Sequence, residues 1–184
     1  MKESPKHYLF SNQALYKLIF PLFIEQLLAV AVGLADSLMV ATVGEAAVSA
    51  VSLVDNISIL LITAFAALAT GGAVVAGQFI GHKDTKKACL SGEQLIVFVT
   101  LISLIIMLFT YLGKSFILHV VFGKIKPDVM DYANRYLMIV NASIPFLALY
   151  NCGAALFRIQ GNAKISMQTS LLMNGINIVG NAFL

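Results

Sequence analysis

NISILLITAFAALATGGAVVAGQFIG, residues 56–81, holds twenty-six residues in a row without one charged side chain. As a helix rising 1.5 Å per residue it would be about 39 Å long, more than the roughly 30 Å hydrocarbon core of a bilayer. Three further runs share the property: Gln94 to Gly113, Tyr136 to Phe157, and Ile165 to Leu184. With no water in the bilayer core, the backbone must satisfy its own hydrogen bonds, so these runs read as helices. The strict in–out alternation of a transmembrane barrel is missing from them. Leu18 to Gly44 is apolar except for Glu25 and Asp36. It reads as a fifth spanning helix with two interior acids. It is too long for a cleaved leader, and no small-residue cleavage site follows a short apolar core.

The bulk composition agrees. Of 184 residues, 59% are hydrophobic and 11% charged, against roughly 25% charged in a soluble domain. A soluble domain of this length would leave about a third of its unfolded surface in water, too much for so apolar a chain. The expected fold is therefore all-α, a polytopic transmembrane helical bundle with helices at about 14–40, 47–80, 89–112, 130–157 and 164–184. Cys89 and Cys152 form neither a metal spacing nor a redox pair, and both read as small buried hydrophobes. The formal charge of +3 comes from loop lysines, so a nucleic-acid partner is excluded. The sequence carries no nucleophile–base pair, metal-ligand cluster or glycine-rich phosphate loop, and an enzyme is the least favoured class.

Charge placement predicts the topology. Lys2, Lys6, Lys17, Lys83, Lys86, Lys87, Arg158 and Lys164 fall on one side of the five spans, and Lys114, Lys124, Lys126 and Arg135 on the other. The eight-to-four split puts the first set and the N-terminus in the cytoplasm of a cell whose inner membrane holds the chain. The outer loop contains an apolar stretch, Phe116 to Phe122, expected at the interface. Asp55 and Glu93 lie near predicted helix ends and are expected to be interfacial.

Glu25 and Asp36 are different. An ionisable group at mid-bilayer costs about 2.5–3.5 kcal/mol on insertion scales, so it is a candidate for function. The two acids are eleven residues apart, about 20° past three whole turns, and share one helix face that must point into the bundle. Asp36 lies roughly 28 Å beyond Lys17, in the outer half of the membrane. On the fifth span Asn174, Asn177 and Asn181 form a stripe. Asn177 and Asn181 lie about 20 and 26 Å beyond Lys164, close to the depth of Asp36. A carboxylate with two amide oxygens suits Na⁺ or, through protonation, H⁺. Glu25 and Asn174 are accessory candidates. Asparagines can also serve only as interhelical glue. Pro21 and Pro145 lie inside spans and are candidate kinks. Small residues between Ala64 and Gly77 allow close approach of the second span to its neighbours.

These residues, in order, resemble the N-terminal part of a multidrug and toxic compound extrusion (MATE) transporter. The likeness rests on Ile19-Phe20-Pro21-Leu22 and Ala35-Asp36-Ser37-Leu38-Met39-Val40 with Val43-Gly44, and on Ala76-Gly77-Gln78-Phe79-Ile80-Gly81 before a basic turn. Ser143-Ile144-Pro145-Phe146, Phe157-Arg158-Ile159-Gln160-Gly161-Asn162-Ala163-Lys164 and Asn174-Gly175-Ile176-Asn177-Ile178-Val179-Gly180-Asn181 complete it. The resemblance implies a Na⁺ or H⁺ coupled antiporter of two six-helix lobes that exports small organic, often cationic, substrates. It implies that Asp36 is a coupling-ion residue partnered by Asn177 and Asn181, and that Pro21 takes part in bending. Some members carry an acid where Asn181 stands, so that two-acid pair is absent here. Residues 1–184 hold five spans of a first lobe, with no sixth helix or second lobe, and are expected to be inactive alone because alternating access needs two bodies. The alternatives are a flippase of related architecture for lipid-linked oligosaccharides, disfavoured by the lack of interior Lys or Arg, and a passive membrane scaffold.

Overall fold

A computed structural model describes residues 12–183, with backbone only at residues 14, 177, 178 and 180–183. The described residues are helical almost throughout. Helix α1 (Asn12–Val43) turns at Gly44 into α2 (Glu45–Gly81), and α3 is Thr85–Leu112. A short α4 (Lys114–Phe116) runs into a π-helical turn (Ile117–Val121), then come α5 (Pro127–Ile159) and α6 (Ala163–Phe183). Gly44 has φ +132°, a conformation that side chains resist, and this allows α1 to reverse directly into α2. Asp84 starts α3: its carboxylate accepts the Lys87 backbone N–H at 3.1 Å, which holds that carboxyl below its usual range. Both α1 and α5 run on through Pro21 and Pro145 without a break.

The packing is the inverse of a soluble protein's. What is buried is small: Phe65, Ala69 and Ala73 of α2 meet Leu95 and Val99 of α3 and Ile144, Ala148, Cys152 and Ala155 of α5. What is exposed is large and apolar, as at Leu60, Phe109, Leu112, Ile139 and Phe146. The buried positions of α5 run Ala133, Leu137, Asn141, Ile144, Ala148, Cys152, Ala155, a stripe at three- and four-residue spacing. Four helices, α1, α2, α3 and α5, are long and apolar enough among the described residues to cross a bilayer. Hydroxyls along them return to their own helix, as Thr63 does to the Ile59 carbonyl at 2.7 Å and Thr100 to Ile96 at 2.7 Å, which is how lipid-facing polar groups are satisfied. The fold is thus a multi-pass helical membrane bundle. Helix α2 is central, packed along α5 and α3, while α1 lies mainly along α6.

One expectation needs correction. Cys152 is buried as expected, but Cys89 is exposed, because it lies off the inward stripe of α3 at Gly92, Leu95, Val99 and Ser103. Within the Phe116–Phe122 stretch the π-turn sets Leu118 in a second core with Ala50, Val54, Val129, Ala133 and Leu137. Extra width in the helical turn lets one apolar side chain reach inward while Phe116, Val120 and Val121 stay out.

The small-residue stripe makes a testable difference between adjacent glycines. A Cβ on Gly72 would collide with the buried Leu95 side chain, whereas one on Gly71 would meet open space. Gly72→Ala is expected to cost about 1–3 kcal/mol by overpacking, and Gly71→Ala to stay within about 0.5 kcal/mol. Thermal denaturation of the purified full-length protein in detergent distinguishes them.

Candidate functional site

Two polar clusters interrupt the apolar bundle, and each contains an acid of α1 and a tyrosine of α5. The inner one centres on Glu25, only 7% exposed. Its Oε1 accepts the Tyr150 hydroxyl at 3.0 Å and an Arg158 guanidinium N–H at 3.4 Å. Its Oε2 accepts the Ser166 hydroxyl at 2.9 Å. Arg158 also reaches the Ser166 oxygen at 3.4 Å, while its buried Nε finds no partner among the described residues. Arg158 sits in the last turn of α5, where the helix dipole favours a cation, and it folds back into the bundle instead of joining the loop charges. Three helices are therefore tied at one carboxylate. Burying such a pair is costly, and the added hydroxyl donors offset the cost. Further along α6, Asn174 Nδ2 donates to Ser170 Oγ at 3.3 Å.

The outer cluster holds Asp36, Asp55 and Tyr136. The Tyr136 hydroxyl donates to Asp55 Oδ1 at 3.0 Å, and Asp36 interacts electrostatically with both. Counting from the Gly44 reversal puts Asp36 about 12 Å down α1 and Asp55 about 16 Å down α2, at nearly one depth. Asp55 lies ten residues inside α2, half-buried beside a cleft of about 210 Å³ that Ser58, Tyr136 and Ser143 also line. Glu93 is exposed.

Of the site residues expected from sequence, Asp36 is half-buried within α1, and Glu25 and Pro21 are buried. Pro145 is buried within α5, and the Asn174 amide donates to Ser170 one turn earlier on α6. The side chains of Asn177 and Asn181 lie outside the described residues. The backbone does supply a register. Helices α1 and α6 start together, around a cavity lined by Lys17, Pro21, Asn162, Lys164 and Met167, and run parallel. Glu25 faces Ser166, so eleven residues further along each helix, about 16 Å, residue 177 reaches the depth of Asp36. Among the described residues no three His, Cys, Asp or Glu side chains gather as a metal site. Among the described residues, the groups that interact electrostatically with Asp36 include the Asp55 carboxylate and the Tyr136 phenol.

Sequence reasoning missed Tyr136, Tyr150, Arg158 and Asp55 as site residues. Tyrosine is an ordinary residue near membrane boundaries, and Arg158 counts as a loop charge until its side chain is placed. The signal within reach was Asp55, whose distance from the Gly44 turn nearly equals that of Asp36.

A multi-pass helical bundle with carboxylate and ion-pair clusters sealed inside its spans is the build of a membrane transporter. The chain belongs to the MatE family, whose model matches residues 21–183. It is 30% identical over 168 residues to the uncharacterized transporter YisQ of Bacillus subtilis (strain 168), a match covering 91% of this chain and 36% of that protein. Its fold matches, with a TM-score of 0.83 and 22% identity, an outward-facing multidrug resistance MATE family transporter of the MOP superfamily, over 92% of this chain and 37% of that one. It also matches a MOP superfamily transporter from Pyrococcus furiosus, with a TM-score of 0.82, 22% identity and the same two coverages, 92% and 37%. The chain thus spans little more than a third of the length of these relatives, which are transporters and not enzymes.

The inner ion pair is open to a direct test. Arg158→Met leaves Glu25 buried and uncompensated. Because the guanidinium is partly exposed, the expected loss is about 2–3 kcal/mol, below the roughly 3–5 kcal/mol of a fully sealed pair. Glu25→Gln combined with Arg158→Met is expected to recover most of it, measured by thermal melting of the full-length protein.

Proposed function

We propose that residues 1–184 form part of the first lobe of a Na⁺ or H⁺ coupled antiporter that exports small organic, often cationic, compounds. The lobe sits in the cell (inner) membrane with its N-terminus in the cytoplasm, as the lysine distribution favours. The partners of this lobe are membrane lipid, the coupling ion, the organic substrate and a second lobe in the full-length protein. Asp36 is the coupling carboxylate, Asn177 and Asn181 supply amide oxygens at its depth, and Pro21 and Pro145 are points of bending. The single observation that carries this reading is Asp36, half-buried within an apolar span and near enough to Asp55 and Tyr136 to interact with them electrostatically. Two carboxylates at one depth in a low-dielectric bundle are most stable with a cation or a proton between them. The second acid that the sequence lacks at position 181 comes from α2 instead.

The flippase reading gains nothing from Arg158. Its charge reaches the interior, but Glu25 already engages it, so it is not free to hold a pyrophosphate. A passive scaffold gives Asp36 and Asp55 no role.

Asp36→Asn in the full-length protein tests the proposal. Losing a charge-assisted contact is worth about 1.5–3 kcal/mol, so coupling-ion affinity is expected to fall about ten- to a hundredfold, and ion-driven efflux to collapse while membrane insertion stays normal. Undiminished efflux from that variant refutes the assignment. A wild-type protein whose melting temperature ignores Na⁺ at every pH favours the scaffold or a purely proton-driven carrier, and proton-driven efflux separates those two.

A further inference from the structure

The cavity between the first turns of α1 and α6 belongs to neither polar cluster. It holds about 660 Å³, far more than an inorganic anion needs, and its wall is mostly apolar. Each helix brings one cation to it, Lys17 from α1 and Lys164 from α6. Both lysines are exposed, and among the described residues neither is in an ion pair. No Asp or Glu among the described residues lines the cavity, and Glu25, further along α1, already holds Arg158. The apolar part of the wall is Phe20, Pro21 and Met167. From Phe20 it continues along one face of α1 as Phe23 and Leu27, three and seven residues on, both more than half exposed. A site with two unbalanced positive charges thus opens onto an apolar track that runs inward along the span.

We propose that this cavity binds an anionic glycerophospholipid from the leaflet in which α1 and α6 begin. Its phosphate lies between Lys17 and Lys164, and one acyl chain follows Phe20, Phe23 and Leu27. With Glu25 opposite Ser166 as the register, Lys17 lies about 9 Å outward of Lys164. Long lysine stems lie along apolar surface and carry their ammonium groups to a shared anion. Two like charges on one cavity repel each other. A phosphate between them removes the repulsion and gains a charge-assisted contact with each. Basic pockets between spanning helices recognise acidic headgroups in this way. A free anion has no use for the apolar track, and an uncharged lipid leaves both lysines unbalanced. The site is separate from the coupling role and does not depend on Asp36.

The position gives the lipid a structural consequence. Because one lysine belongs to α1 and the other to α6, a phosphate held by both ties the two helices together. The Ser166 hydroxyl of α6 donates to Glu25 of α1 at 2.9 Å further in, so the lipid adds a second tie to the same contact. Bound lipid therefore stabilises the folded protein as any ligand of the native state does.

The test titrates phosphatidylglycerol into the purified full-length protein in micelles that contain phosphatidylcholine, with bound lipid counted by native mass spectrometry. Lys17→Gln and Lys164→Gln are each expected to weaken phosphatidylglycerol binding about fivefold, and the double variant about thirtyfold. The melting temperature of the wild type is expected to rise with phosphatidylglycerol, and that of the double variant to stay level. Lys124→Gln combined with Lys126→Gln, at the other end of the bundle, is expected to leave the tight binding unchanged. A double variant that binds like the wild type overturns the site. So does an equal loss in the Lys124 and Lys126 pair, which reports only a general attraction of acidic lipid to surface charge. Glycerol 3-phosphate, a headgroup without chains, is expected to compete poorly. If it displaces the lipid at equal concentration, the cavity takes a free anion and the lipid assignment falls. A wild type that binds no phosphatidylglycerol has the cavity filled by the rest of the full-length protein, and that outcome also overturns the proposal.

Discussion

The carboxylate of Glu25 is where the first helix is tied to the rest of the bundle. Inside a bilayer a charge has no water to fall back on, so it must be surrounded by donors or lost. Glu25 takes one hydroxyl from α5, one from α6 and a guanidinium from the end of α5. That single requirement fixes the rotation of α1, because the face that carries Glu25 must look toward α5 and α6. Asp36, eleven residues on along nearly the same face, is then turned inward as well. Its meeting with Asp55 and Tyr136 follows from the inner knot together with the sharp reversal at Gly44.

Much of this architecture is legible in the sequence. Charge-free runs of spanning length identify the helices, since lipid leaves the backbone almost no other choice. The inward face of α1 follows from the spacing of Glu25 and Asp36 alone. What the sequence hides is long-range: Glu25 meets partners 125 and 133 residues away, and no local pattern marks Tyr150 or Arg158 as those partners. Arg158 is the instructive case. A cation at a helix end can equally snorkel to the headgroups or bend back to an acid, and only the position of Glu25 decides. Asp55 is likewise unremarkable in the sequence, and its bond to Tyr136, 81 residues on, follows only from the packing of α2 on α5.

Two kinds of interface divide the molecule. The α2–α3–α5 body is held by small side chains fitted to one another, with Gly72 against Leu95 and an alanine ladder against α5. Contacts of this sort depend on volume and close approach, and beside them the Tyr136 hydroxyl of α5 donates to Asp55 of α2. The contact of α1 with α5 and α6 depends on charge and hydrogen bonding. Its strength depends on how the charge of Glu25 is balanced, by the Arg158 guanidinium and the hydroxyls of Tyr150 and Ser166. That contact differs in kind from the core around Phe65, where α2, α3 and α5 meet through apolar side chains.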